Sequence, residues 1–581
     1  MTSATQAVVP VDDFVSDEIY PGYRPQYGTT PTFLEAIQPI SKRDERHLWN
    51  LDFHFGRGIK PGSLTLIEDT YTWGTQMGAE NIGLPVGRGL RARLAGTHLY
   101  MSPIATETPW EVRLRAMRFG PFLHDFLATF EQRWAAQAAQ LDAGFAHFRD
   151  LDTAALTAAE LFDELRAAHE HHRRAWLVHF EFMYSLLANY LGFHELCGQL
   201  GLDPAQISRF LGGRMHKVLE NDRALWQVAV RARQLGVVDA IAAGDLGGVR
   251  GRVMAAPNGQ AWWRELEAYL DEWGWRIDEN CTLDTPPWHD DPTPALAAIR
   301  SFHGKGEDHD FDAGLRASQR ARDEAIEEAR AQIGKAADVA AFDATLASCQ
   351  AANFSWWNDE HNHYIDKRAA VPAHRLTMEL GRRLVDDGVL DAVDDVFYLL
   401  RQEIFAVLDD RAAWRDFTQH IGDRRGFHDH WRERIGDMPP VLGTVPERVG
   451  DPILIEVFGL SQQYLKTVRD GGSQAEEIRG LAASRGVVEG RARVIMAVAD
   501  LHQLQPGEVL VSRGTDPDWT SAFGYATACV CDGGGSLSHA AIISREYGIP
   551  CVVGTGVATT KINTGDLVRV DGTNGIVEVQ P

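Results

Sequence analysis

Apolar residues along this chain keep two different rhythms. From about Glu107 to Ile404, Ala, Leu, Arg and Glu recur at helical spacing, most regularly over Ala154–Leu191 and Ala317–Ile333, which predicts a body of long helices. The first hundred residues are less regular. Pieces such as Tyr20-Pro-Gly-Tyr and Lys60-Pro-Gly-Ser-Leu-Thr-Leu break the helical pattern and leave room for a few strands. Near the other end the period shortens. Tyr525 to Cys531 is apolar and β-compatible and predicts a short buried strand, and Gly533, Gly534 and Gly535 then predict a turn that can approach a ligand closely. A helix follows, with Ser536 or Ser538 placed to cap it, Gly548 as its left-handed stop and Pro550 just beyond. No internal repeat interrupts this plan.

Composition narrows the function. The 581 residues leave room for two to four domains, and a hydrophobic content of 44% supports large cores. A net charge of -24 without any cluster of Lys and Arg argues against nucleic acid and anionic membranes as partners. No apolar run approaches the roughly 20 residues that span a bilayer, and MTSATQAVVPVDDF lacks the features of a signal peptide, so the cytoplasm is the expected address. Six cysteines without a C-x-x-C pair suggest neither a disulfide framework nor structural zinc; Cys529 and Cys531 are expected to pack in their strand.

The glycine turn places His539 in the first turn of a helix, where free N–H groups and the positive end of the helix dipole favour a bound phosphate. A neutral imidazole there has a lone pair that can attack a phosphoryl group. The plain alternative is an ordinary histidine at a helix start. The surrounding segments weigh against it: Gly486-Val-Val-Glu-Gly-Arg-Ala-Arg-Val-Ile, Pro506-Gly-Glu-Val-Leu-Val, Arg513-Gly-Thr-Asp-Pro-Asp-Trp519, the histidine motif, and Gly565-Asp-Leu-Val-Arg-Val-Asp-Gly572 together resemble the swivelling phosphohistidine domain of the phosphoenolpyruvate-utilising enzyme superfamily. The resemblance implies that His539 is the phosphorylated residue and that Thr515, Ser538 and Gly535 surround its phosphate.

The helical body carries a looser likeness. Trp273-Gly-Trp-Arg276-Ile-Asp-Glu279, Thr285-Pro-Pro-Trp288-His-Asp-Asp-Pro292 and Arg375 to Leu399 resemble the acceptor-binding domain of rifampicin phosphotransferases and of phenylphosphate-synthase-type proteins. The expected fold is therefore multidomain: a mainly α-helical substrate domain over 1–467, a linker at 468–479, and a small α/β swivelling phosphohistidine domain over 480–581. The linker, Arg469-Asp-Gly-Gly-Ser-Gln-Ala-Glu-Glu-Ile, is polar and glycine-containing, and ten such residues extend to about 35 Å, enough for a carrier to swing between two sites.

No ATP-grasp domain, phosphoenolpyruvate barrel or G-x-x-x-x-G-K-[ST] loop is found, so the resemblance implies that a separate ATP-grasp subunit, binding ATP and Mg²⁺, charges His539 and releases AMP and phosphate. The acceptor is expected to be a small aromatic compound with a phenolic hydroxyl, whose attack needs a base and nearby cations. The segment Phe354 to Arg368 supplies both types: Glu360, His363, Tyr364 and Lys367 share a face at i, i+3, i+4 and i+7, with His363 as expected proton acceptor and Lys367 and Arg368 near the phosphoryl oxygens. Trp356 and Trp357 could wall the pocket or pack in the core, and Arg276 and Glu279 could line it or pair with each other. His169-Glu-His-His172 with His179 is read as an exposed helix face among Arg173, Arg174 and Glu170 and not as a metal site; His428-Asp-His430 is read the same way. A rifampicin-type antibiotic phosphotransferase and a non-catalytic phospho-relay protein are the alternatives.

Overall fold

The computed structural model describes residues 7–23, 37–202, 207–304, 311–406, 418–449, 452–469, 478–515 and 517–580. The few strands expected of the first hundred residues form most of a six-stranded sheet: β1 (Ala7–Val9), β2 (Gln38–Pro39), β3 (Leu48–Leu51), β4 (Leu90–Ala95) and β5 (His98–Pro103), joined by β6 (Val441–Val445), in the order β1-β6-β3-β5-β4-β2. β6 pairs antiparallel with both β1 and β3, so the far end of the helical region closes onto the chain's beginning. Between β3 and β4 a helical run from Leu64 to Ile82 widens into a π-helical turn over Glu68–Gly74. Such turns often mark functional sites, and this one carries Tyr71.

Long helices follow: α1 (Pro109–Ala128), α2 (Phe130–Asp150) and α3 (Ala158–Gln199). α3 opens with a capping box between Thr157 and Glu160, and its Leu161, Leu165, Ala168, His172, Ala175, His179 and Phe182 recur three and four apart on a buried stripe. His169 and His172 are therefore core residues, not an exposed face, and His428 is buried likewise; Glu170 and Arg174 are exposed, while Arg173 turns to pair with the buried Asp69 at 2.9 Å. α4 (Lys217–Gln234) belongs to a satellite core built around Trp226, Trp262 and Trp263. α5 (Phe354–Tyr364), capped by Asn353, and α6 (Val371–Asp386) return to the main core, which also takes in the π-helical turn and the first sheet.

The second sheet holds eight strands: β7 (Ile478–Arg479), β8 (Leu481–Ser484), β9 (Val487–Val494), β10 (Val509–Ser512), β11 (Ala528–Cys531), β12 (Cys551–Val553), β13 (Leu567–Asp571) and β14 (Ile576–Val579), in the order β7-β14-β13-β9-β10-β11-β12-β8. β9 to β12 run parallel, which needs connections across the faces, and separate apolar clusters cover the two sides. α7 (His539–Tyr547) is the connection between β11 and β12 and ends at Gly548 with φ +68°, where the sequence predicts its stop. The predicted strand at 525–531 is β11, shortened to its last four residues. Cys529 and Cys531 are fully buried in it. Of the predicted linker, residues 470–477 lie outside the described residues; Arg469 ends a helix begun at Gln462, and Ile478 already belongs to the sheet. Among the described residues, no helix is long and apolar enough to cross a membrane.

Candidate active site

His539 is the first residue of α7, 7% exposed, with a polar clamp on each ring nitrogen. Thr515 Oγ1 lies 3.0 Å from Nδ1 and Thr520 Oγ1 3.1 Å from Nε2, while Phe523 meets the ring edge-on at 5.7 Å. Ser538 occupies the N-cap position, yet its hydroxyl donates back to the Gly535 carbonyl at 2.8 Å, so no side chain closes the helix start. Burial first, then the charges of Lys367 and His54, hold the His539 pKa well below its ordinary value. The ring is neutral at physiological pH, and a neutral imidazole is the form that attacks phosphorus.

The glycine loop is latched to the body. Gly534 N–H donates to Phe458 O at 3.2 Å, Leu537 N–H to Glu456 O at 3.0 Å, and the Ser536 hydroxyl to the Glu456 carboxylate. A Cβ at Gly535 would stand 2.3 Å from Ile455 O and 2.4 Å from Glu456 O, so only glycine permits this approach. Leu537, 1% exposed, is part of the body's own core cluster. His539 is thus docked on the helical body.

Two cavities flank it. The smaller, about 130 Å³, is lined by Thr515, Ser538 and His539 itself against Phe53, Tyr71, Trp176, Phe180 and Tyr184 of the body. Polar groups enter it at defined points. His54 Nδ1 is 2.5 Å from Asp52 Oδ1, a pairing that fixes the imidazole's tautomer and orientation. His179, His361 and Asp366 also line this cavity, as do Asn358 and Asn362. Burial lowers the His179 pKa to about 4; burial alone would raise that of Asp366, but the two imidazoles outweigh it and hold the carboxyl below the usual range. The larger cavity, about 470 Å³, includes Lys60, Arg276, Glu279 and Asp284 from the body and Leu501, Thr520 and Tyr547 from the C-terminal domain. Thr515 therefore joins one ring nitrogen to the small cavity and Thr520 joins the other to the large one.

Residues 504–575, which contain the clamped histidine, match the family described as "PEP-utilising enzyme, mobile domain". The chain belongs to the PEP-utilising enzyme superfamily. Residues 178–356 match the rifampicin phosphotransferase fourth domain, so the helical body of this PEP-utilising protein has its own counterpart. Chondramide synthase cmdD of Chondromyces crocatus is 30% identical over 552 residues, covering 92% of this chain and 14% of that protein. The uncharacterized phosphotransferase YvkC of Bacillus subtilis is 29% identical over 444 residues, 74% of this chain and 51% of that one. A rifampicin phosphotransferase of Streptomyces sviceus is 29% identical over 437 residues, 74% and 48% respectively. The chain spans about half the length of these last two relatives and far less of the first.

On the C-terminal side Thr515 contacts the His539 ring and Ser538 lines the cavity beside it, while Gly535 lies against the 455–456 carbonyls; Thr520 is an addition, because nothing in the pattern folds its 3-10 turn back onto the ring. On the body side the expected face of α5 is the wrong one. α5 ends at Tyr364 and the chain turns, so residues 360, 363 and 364 do not continue onto one stripe with 367; Asn358, His361, Asn362 and Asp366 reach the cavity instead. His363 Nε2 takes a hydrogen bond from Arg368 at 2.9 Å and lies edge-on to Trp273, with burial first and then Arg368 depressing its pKa. Glu360 accepts the Lys217 N–H at 2.8 Å and so serves the start of α4. Trp356 donates to Met215 O and is covered by the Arg214 guanidinium. Arg368 pairs with Asp142 at 2.8 Å over the Phe145 ring. Lys367, 2% exposed, is the exception: the turn after α5 brings its charge within reach of His539. Arg276, stacked on Trp288, and Glu279 line the larger cavity and not the one the His539 ring faces. His54 and Tyr71 lie outside every segment that carried a motif, whereas His179, read from the sequence as part of an exposed helix face, lines the cavity instead.

Proposed function

We propose that this chain is the phosphohistidine-bearing, acceptor-binding component of a dikinase that phosphorylates the hydroxyl of a small aromatic compound, phenol-like in size. The observation that carries this reading is the aromatic-walled cavity of about 130 Å³ onto which His539 opens. A void of roughly 150 Å³ lined by apolar side chains is enough to hold a benzene ring. In the transfer step the P–N bond of phosphorylated His539 breaks and a P–O bond forms to the acceptor oxygen. The acceptor's proton passes to His54, oriented by Asp52, and the imidazole departs with the P–N electron pair. Lys367 and the open end of α7 offset the negative charge on the phosphoryl oxygens. The buried setting of His539 keeps water from competing as acceptor.

In this reading the phosphoryl group reaches His539 from ATP, bound with Mg²⁺ on an ATP-grasp unit supplied by a separate subunit, which releases AMP and phosphate. The second reading, a rifampicin-type antibiotic phosphotransferase, is favoured by the larger cavity of about 470 Å³ behind Thr520. One experiment separates them. The protein is phosphorylated with phosphoramidate, the labile group is located on His539 by mass spectrometry, and loss of label is followed with phenols and, separately, with rifampicin. Transfer to phenols and not to rifampicin supports the first reading; the reverse supports the second; transfer to neither, with His539 labelled, leaves a relay protein and overturns both.

A further inference from the structure

We propose that His179, His361 and Asp366 bind a divalent transition-metal cation, with an open coordination position facing the cavity beside His539. The three side chains come from the middle of α3, the last turn of α5 and the turn that follows it. His361 Nε2 lies 3.4 Å and His179 Nδ1 3.6 Å from Asp366 Oδ1, and all three ligand atoms are within 4.8 Å of one another. These separations exceed those of good N–H···O hydrogen bonds, which cluster near 2.9 Å. The two distances to the carboxylate, 3.4 and 3.6 Å, are instead close to the edge of a tetrahedron whose metal–ligand bonds are about 2.0–2.1 Å, roughly 3.3–3.4 Å.

The surroundings point the same way. His179 Nδ1, His361 Nε2 and Asp366 Oδ1 are all buried without a hydrogen-bond partner, although burying even one such atom unsatisfied is costly. The other nitrogen of His361, Nδ1, is 2.8 Å from the Trp357 carbonyl and donates to it, which turns the Nε2 lone pair toward the cluster. Trp357 also stacks on the ring, centroids 4.1 Å apart and planes 10° apart, so the imidazole cannot rotate away. Two neutral imidazoles and one carboxylate suit a first-row divalent ion, and three protein ligands leave a position for a substrate oxygen. All three residues line the cavity that His539 enters. Binding does not depend on the phosphotransfer reading. The use of the metal, lowering the pKa of an acceptor hydroxyl, does rest on it.

The test is metal binding without turnover. Chelator-stripped full-length protein is titrated with Co²⁺ while visible absorption is recorded, with Zn²⁺ as competitor and elemental analysis for stoichiometry. One Co²⁺ per chain, displaced by Zn²⁺, is expected. Asp366→Asn and His361→Gln should weaken it on the order of 100-fold or more, since loss of even an outer partner costs 10–100-fold. His430→Gln, at an exposed position away from the cluster, should leave it unchanged. Failure of the wild-type protein to bind either ion stoichiometrically would overturn the site, and would instead identify the cluster as a hydrogen-bonded pair of histidines around Asp366. Binding that survives both ligand substitutions, or that disappears with His430→Gln, would overturn it equally. A protein that binds Co²⁺ and transfers no phosphate refutes the proposed function and leaves the site standing.

Discussion

The two halves of the site are built in opposite ways. The carrier half comes from one short run of chain: Thr515, Thr520, the glycine turn and His539 all lie between β10 and the start of α7. The body half draws Asp52 and His54, Tyr71, His179, and the His361–Lys367 turn from segments hundreds of positions apart. The first is set by local turn and helix-start chemistry and survives movement as a unit. The second exists only once α3, α5 and the π-helical turn have packed into one core. Damage to the carrier half should therefore block every reaction of the protein, whereas damage to the body half should block only what happens at the acceptor.

Substitutions that separate the two rank as follows. His539→Ala should lower both labelling and transfer by about 10⁴-fold or more, because it removes the imidazole proposed to take the phosphoryl group; specific labelling elsewhere with transfer intact would break the comparison. His54→Asn should slow transfer by about 10²–10⁴-fold, the usual worth of a placed base, while His539 still takes up label from phosphoramidate. Equal loss in both half-reactions would assign His54 to the carrier's chemistry instead. Gly535→Ala forces a Cβ onto the 455–456 carbonyls and should cost about 10²-fold in transfer through misplacement, with the isolated folding of the second sheet unaffected by circular dichroism.

Lys367→Met should slow transfer about tenfold, near 1.4 kcal/mol. It should also move a titration. Burial and the Lys367 charge both depress the His539 pKa, so the neutral ring persists as pH falls below its ordinary value of about 6.5. Removing the cation raises that pKa, and the acidic limb of the rate profile shifts to higher pH. Histidine NMR signals assigned to His539 read this directly, and an unchanged titration would place Lys367 elsewhere. His363→Asn, which acts on a residue turned toward Trp273, should change transfer less than about threefold.

The same contrast explains what the sequence reveals. β11, the glycine turn, His539 and the stop at Gly548 are written in consecutive residues, each with its own conformational reason. Lys367 was found for a mistaken reason: helical spacing placed it on a stripe with His363, but a turn after Tyr364 is what aims it. His54 carries no local signal, and His179 carries only its helical spacing from His169 and His172. Their meaning arises from packing between elements that no periodicity joins, and His179 in particular looked like part of a charged helix surface until the burial of α3 was known.

Leu537 sets a condition on the carrier's travel. It sits two positions before the reactive imidazole, wedged among side chains of the other domain. Any excursion toward a loading station must expose it to water, at about 1.5–3 kcal/mol for a leucine side chain. From that plug alone, the wandering form would be outnumbered roughly ten- to hundredfold by the parked one. Under the proposed function, the module's rest position is then beside the acceptor, and whatever loads it must supply a groove for this leucine as well as a phosphoryl donor.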